Sequence, residues 1–159
     1  LGDVYKRQLY GLQGDVPEGD YLVPFGKARI VSEGNDCTLV ATGRMVSFCE
    51  DAANALSADG ITCDIIDPRT TSPLDEDAIL DSVEKTGRLI VVDETPPRCS
   101  FAADVAALAA SEVFSSLKAP IKTVTGPHSP VPFAKELETA FLPSPVKIKT
   151  VIEQTVNFS

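Results

Sequence analysis

The sequence predicts an α/β fold in which helices cover both faces of a mainly parallel sheet. Short apolar runs rich in Val and Ile alternate along the chain with longer segments whose apolar residues recur every three or four positions. The run at 88–93, RLIVVD, is continuous, which is typical of a parallel strand buried on both faces. With 159 residues and 43% hydrophobic content, the chain can form one domain with a substantial core. We therefore expect a three-layer α/β/α arrangement joined by right-handed crossovers.

The stretch at 60–75, GITCDIIDPRTTSPLD, shows the repeating unit most clearly. Its apolar run ends at Asp67, which precedes a proline and therefore avoids the helical region. A polar loop with Arg69 and Thr70 follows, and Pro73 opens a helix whose first turn is acidic, as the helix dipole favours. Ligands of open α/β sheets usually bind at the carboxyl ends of strands, so Asp67, Arg69 and Thr70 are the first candidate site residues.

Five strands and five helices are predicted in all. The strands cover residues 27–32, 37–42, 61–66, 88–93 and 121–124, and the first of them alternates weakly, as an edge strand does. The helices cover residues 44–60, 73–87, 101–117 and 134–141, and a terminal helix starts at Ser144-Pro145. Ser100 is the expected N-cap of the third helix, and Gly87 is expected at the end of the second.

The helical segments also predict which residues face the core, from apolar positions spaced three or four apart. These residues are Val46, Cys49, Ala53 and Leu56; Ile79, Leu80 and Val83; Val105, Leu108, Ala109, Val113 and Leu117; and Ile148, Val151, Ile152 and Val156.

Composition excludes several classes of function. The net charge of −9 and the pI near 4.5 would repel a phosphate backbone, so nucleic acid is not an expected partner. A basic protein partner is compatible with this charge, as is a solvated acidic surface. The sequence contains no run of about 18 apolar residues that could span a membrane, and no charged-then-apolar leader opens the chain. We expect a cytoplasmic protein, or one of the mitochondrial matrix if the source is eukaryotic.

The four cysteines are Cys37, Cys49, Cys63 and Cys99. They lack the close C-x-x-C pairs of a structural zinc site. Three of them lie in apolar runs and are expected to be buried small hydrophobic residues in a reducing compartment. Disulfides and a reactive thiol remain the alternatives.

Candidate catalytic residues follow the later strands. Asp93 and Glu94 end one strand with Arg98 a few residues on, which fits an acid–base pair, an anion clamp or a loop-ordering salt bridge. His128 is the single histidine, so neither a triad of several histidines nor a multi-histidine metal site is possible. One interpretation is a small α/β enzyme using these four residues on an anionic substrate, and the other is a domain without its own active site. Gly43 stands alone, without a dinucleotide or P-loop fingerprint.

Several blocks of sequence resemble a known family. They are VPFGKARIVSEGNDCTLVATGRMV, ITCDIIDPRTTSPLDEDAILDSVEKTGRLIVVDE and APIKTVTGPHSPVPFAKELETAFLPS, in that order. Together they resemble the C-terminal domain of the β subunit of thiamine-diphosphate-dependent 2-oxo acid dehydrogenases, from Leu9 onward. The PRCS segment at 97–100 and the Pro127-His128 pair are most similar to the acetoin dehydrogenase branch.

The resemblance implies a transketolase C-terminal type of domain, with a five-stranded mixed sheet, mostly parallel, and one antiparallel edge strand. Thiamine diphosphate and Mg would be bound by parts of the parent enzyme absent here, and none by this chain alone. The implied partners are the α subunit, a second β subunit and the subunit-binding domain of a lipoyl acyltransferase. The expected interface residues are Asp67, Arg69, Thr70, Asp93, Glu94, Arg98 and His128, and the expected acyltransferase docking residues are Asn157 and Phe158.

The same resemblance suggests how the chain is divided. Residues 1–8, LGDVYKRQ, do not join the pattern and are expected to be an artefact or a tag. Residues 9–26 are rich in Gly, Pro and acids, and are expected to be a linker from a missing upstream domain. Residues 27–159 are the expected domain.

Overall fold

The computed structural model describes residues 13–15 and 17–158. The segment 1–8, part of the expected linker and Ser159 lie outside these residues, so the expected domain bounds stay a prediction. The strands are β1 (Arg29–Ser32), β2 (Cys37–Ala41), β3 (Cys63–Asp67), β4 (Leu89–Val92) and β5 (Lys122–Val124). The helices are α1 (Arg44–Ser57), α2 (Glu76–Thr86), α3 (Phe101–Glu112), α4 (Lys135–Phe141) and α5 (Pro145–Val156), with a 3₁₀ turn at Phe114–Ser116.

The five strands form one mixed sheet in the order β1-β3-β2-β4-β5. Strand β1 runs antiparallel to β3, with Arg29 opposite Asp67, and the other pairs are parallel. Leu39 of the central strand β2 pairs with Ile65 on one side and Ile90 on the other. The predicted fold class is confirmed, including the antiparallel edge strand at the start of the domain.

Helices cover both faces of the sheet. Successive residues of a strand point to opposite faces, so strands β2, β3 and β4 contribute side chains to both hydrophobic clusters. Leu39 and Ala41 pack in the cluster that contains the buried side chains of α1 and α5. Val40, between them, packs in the other cluster, with the buried side chains of α2 and α3. No helix within the described ranges has both the length and the apolar character needed to cross a membrane.

Three predicted helix ends match the structure, whereas α2 begins at Glu76 and not at the predicted Pro73. Ser100 caps α3, its hydroxyl accepting a hydrogen bond from Ala103 N at 3.2 Å. Ser144 caps α5 in the same way, with proline at the first helical position. Helix α2 ends at Gly87, whose φ of 74° is left-handed and therefore suits glycine.

Two further helical predictions need correction. The buried stripe of α1 is Met45, Cys49, Ala52 and Leu56, whereas the predicted Val46 and Ala53 are only partly buried beside it. Helix α3 stops at Glu112 rather than continuing to residue 117. The chain then passes through Val113 into the 3₁₀ turn, whose Phe and Ser residues have low helix propensity, as Val113 does.

A buried carboxylate joins the sheet to α2. Asp64 of β3 is 4% exposed and accepts hydrogen bonds from Gly34 N at 2.7 Å and from the Ser82 hydroxyl at 2.6 Å. Lys85 Nζ lies 2.6 Å and 2.7 Å from its two oxygens. The Ser82 hydroxyl also bonds the hydroxyl of Thr38 on β2, at 2.8 Å. Asp64 therefore connects two strands, a turn and a helix through polar contacts inside the fold.

Asp64→Ala is expected to lower the free energy of unfolding by about 2–3 kcal/mol, because buried donors lose their charged acceptor. Urea denaturation followed by circular dichroism measures this. Asp81→Ala, which removes an exposed acid of the neighbouring helix α2, is the matched control and should change stability by no more than about 0.5 kcal/mol. Equal losses in the two variants would contradict a special role for Asp64.

Candidate functional site

The loop after β3 holds three of the predicted interface residues. The Asp67 carboxylate accepts a hydrogen bond from Arg69 N at 3.0 Å, and Arg69 has a left-handed φ of 59°. The guanidinium of Arg69 donates to the Tyr21 hydroxyl at 3.3 Å. The Thr70 hydroxyl accepts from Gly26 N at 2.9 Å. The loop therefore contacts the segment that enters the domain.

Asp75 strengthens this connection. It is 8% exposed, and its carboxylate accepts from Ala28 N at 2.8 Å while Lys27 Nζ lies 3.7 Å away. The sequence indicated Asp75 only as an acid favoured by the helix dipole. Its backbone partner is 47 positions earlier in the chain, and no local signal predicts that pairing.

The carboxylate that follows β4 is occupied within its own loop. Asp93 is 2% exposed and accepts from Thr95 N at 3.0 Å and from the Thr95 hydroxyl at 2.6 Å. Among the residues the structure describes, Asp93 forms no ion pair with Arg98, which is exposed. The loop is ordered by Thr95 rather than by a salt bridge of Asp93 with Arg98. Asp93 is therefore poorly placed to act on a substrate.

Glu94 and His128 lie close to the end of the sheet near β5. Glu94 is partly buried and lines a pocket of about 230 Å³ together with Phe141 and Val131. His128 is exposed in the loop after β5 and does not line that pocket. The four residues of the enzyme interpretation are thus not gathered around this pocket.

Two separate groups of predicted residues lie at the carboxyl ends of the strands. Asp67, Arg69 and Thr70 follow β3, whereas the group from Asp93 to His128 follows β4 and β5. Strand β2 lies between β3 and β4, so the groups stand about 10 Å apart at the sheet. They are two surfaces rather than one site.

Asn157 and Phe158 lie at the other end of the sheet, near the amino ends of the strands. Arg88, just before β4, donates to Val156 O at 3.3 Å and so holds the last turn of α5 near the amino ends of the strands. Phe158 is 51% exposed and lines a groove of about 640 Å³. The groove is mostly apolar and also includes Phe114, Leu117, Lys118 and Ile121.

Three cysteines are buried, as predicted, and Cys99 is exposed. Burial raises the pKa of Cys63 to about 12, with the nearby acids Asp36 and Asp64 adding to the effect. Burial also raises the pKa of Cys37 and of Cys49 well above the ordinary range of a thiol. All four thiols are free.

The fold and these surfaces define a three-layer α/β domain with one antiparallel edge strand and exposed candidate residues at both ends of the sheet. The family model of the transketolase C-terminal domain matches residues 26–148. The chain therefore belongs to the transketolase C-terminal domain family.

Similar proteins agree with this assignment. The chain is 54% identical over 142 residues to the β subunit of acetoin:2,6-dichlorophenolindophenol oxidoreductase from Bacillus subtilis, covering 89% of this chain and 42% of the relative. It is 40% identical to the pyruvate dehydrogenase E1 component subunit β of Rickettsia bellii, covering 92% and 45%. A solved split-gene transketolase, an inactive β4 tetramer, shares the fold with a TM-score of 0.71 at 20% identity, covering 90% and 45%. The chain spans about half the length of the curated relatives it matches.

Alkylation should distinguish the cysteines. At pH 8 the native chain is expected to take up one iodoacetamide group, on Cys99, because the buried thiols remain protonated and out of contact with the reagent. Intact mass measurement before and after urea unfolding tests this, with four groups expected after unfolding. Rapid labelling of Cys63 in the native chain would contradict it.

Proposed function

We propose that the chain is the C-terminal assembly and partner-docking domain of the β subunit of a thiamine-dependent 2-oxo acid or acetoin dehydrogenase decarboxylating component. The observation that carries the proposal is the 54% identity with an acetoin oxidoreductase β subunit. Identity with a pyruvate dehydrogenase β subunit is 40%, and with a 2-oxoisovalerate dehydrogenase β subunit 36%. This order favours the acetoin branch.

In this proposal the chemistry belongs to other parts of the enzyme. Thiamine diphosphate and its Mg²⁺ are assigned to the α subunit and to the preceding half of the β subunit. Among the described residues, no three His, Cys, Asp or Glu side chains are grouped so that they could hold a metal ion. The proposed location is the bacterial cytoplasm, or the mitochondrial matrix for a eukaryotic source.

We assign different partners to the surfaces at the two ends of the strands. The groove beside Phe158 is assigned to the subunit-binding domain of a lipoyl acyltransferase. Its apolar lining and the net charge of −9 support a partner with an apolar contact surface and basic surroundings. The loops at the carboxyl ends of the strands are assigned to contacts with the α subunit and the second β subunit, through Asp67, Arg69, Thr70, Glu94, Arg98 and His128. Asp93, which is 2% exposed, orders the loop after β4 by binding Thr95.

The length of the native polypeptide tests the proposed function. Immunoprecipitation from an extract of the source organism, followed by intact mass measurement, should give a polypeptide about twice as long as this chain, since the chain covers 42% and 45% of two of its relatives. An α subunit should be recovered with it. A native polypeptide of 159 residues would contradict the proposal.

Phe158→Ala in the whole β subunit is expected to weaken binding of the acyltransferase subunit-binding domain at least about tenfold, because a central aromatic contact is lost. Calorimetric titration at low salt measures the affinity, which should fall as salt is added. Val146→Ala, which changes an exposed apolar residue at the other end of α5, is the control. Binding that is unchanged by Phe158→Ala would remove this groove as the docking surface.

A further inference from the structure

An exposed apolar strip lies just before the first strand. Tyr21, Leu22, Val23 and Phe25, here called the entry strip, are 60%, 85%, 42% and 85% exposed. Within the part of the chain that the structure describes, none of them belongs to either hydrophobic cluster of the domain. Four large apolar side chains within five residues are costly to leave in water and mark a contact surface.

The entry strip is held in place on both sides by polar contacts. Arg69 reaches the Tyr21 hydroxyl, and the Thr70 hydroxyl accepts from Gly26 N just after the strip. Asp75 then holds Ala28 N. Two of these contacts are made to backbone N–H groups and one to a side chain. They therefore fix the path of the backbone through this segment. The strip is presented as an ordered surface on the domain.

Gly26 contributes to the same arrangement. Its φ is 69°, and a Cβ at this position would lie 3.1 Å from Cγ of Pro73. A side chain here would be strained and would crowd the loop that carries Thr70. The close approach of the two segments therefore depends on glycine.

We propose that the entry strip is the docking surface for the preceding half of the same β subunit, and that Arg69, Thr70 and Asp75 position it. This inference rests on the proposed function. The relative from Bacillus subtilis is more than twice as long as the matched region, and the matched family is a C-terminal domain. A preceding domain attached next to the strip has a high effective concentration there, which favours it over a separate chain.

The test uses the whole β subunit, purified without its α partner. Leu22→Ser combined with Phe25→Ser is expected to raise the rate of limited proteolysis between the two halves at least about tenfold, because the two halves then separate more often. Phe133→Ser combined with Leu137→Ser is the matched control, since both residues are exposed apolar side chains of the same types elsewhere on the domain. The control should leave the rate within about twofold of the wild type.

A second variant tests the positioning residues. Thr70→Val keeps the shape of the side chain and removes the acceptor of Gly26 N. It should raise hydrogen exchange at the Gly26 amide at least about tenfold and speed cleavage at the strip, without a comparable change at the amides of β2. Unchanged exchange at Gly26 would overturn the positioning role.

Other occupants give different results. Protection of the strip that appears only when the α subunit is added, or that rises with the concentration of the β subunit, would overturn the inference in favour of another chain. Equal cleavage of the wild type and the strip variant would also overturn it. The length of the native polypeptide tests the proposed function separately from this inference. A full-length β subunit whose entry strip is not covered by the preceding half would contradict the inference and leave the proposed function in place.

Discussion

The Asp64 carboxylate is the polar contact on which the arrangement of β3, α2 and the turn before β2 depends. A buried carboxylate is costly unless each oxygen is satisfied, and here Gly34 N, Ser82 and Lys85 supply the donors. Gly34 must lack a side chain, because a Cβ would lie 2.3 Å from Cys63 N. The contact therefore specifies how closely the turn, the strand and the helix approach one another.

This contact lies toward the amino ends of the strands. The loops at the carboxyl ends of the strands are therefore available for other contacts. There, Thr70 and Asp75 accept hydrogen bonds from the backbone of the entering segment. At the amino edge, Arg88 holds the end of α5, so Phe158 stands beside an apolar groove. The groove beside Phe158 and the loops at the carboxyl ends of the strands are consequently at opposite ends of one sheet, where their proposed partners can bind without competing.

Local signals predicted much of the fold because they act over a few residues. The continuous apolar run at 88–93 predicted a buried parallel strand, and Ser100, Gly87 and the Ser144-Pro145 pair marked helix ends that the structure confirms. The apolar spacing in α1 was less decisive, since neighbouring residues such as Met45 and Val46 are both apolar and packing decides which is buried.

The sequence by itself determined the α/β class, the order of the elements and the family, because periodicity, caps and motif order are local or directly comparable. Only the tertiary structure decided which polar residues meet. Asp64 lies inside an apolar run and Asp75 at the N-cap position of α2, and their backbone partners are 30 and 47 positions away. Such pairs form only when the sheet brings distant segments together, so no local pattern could predict them.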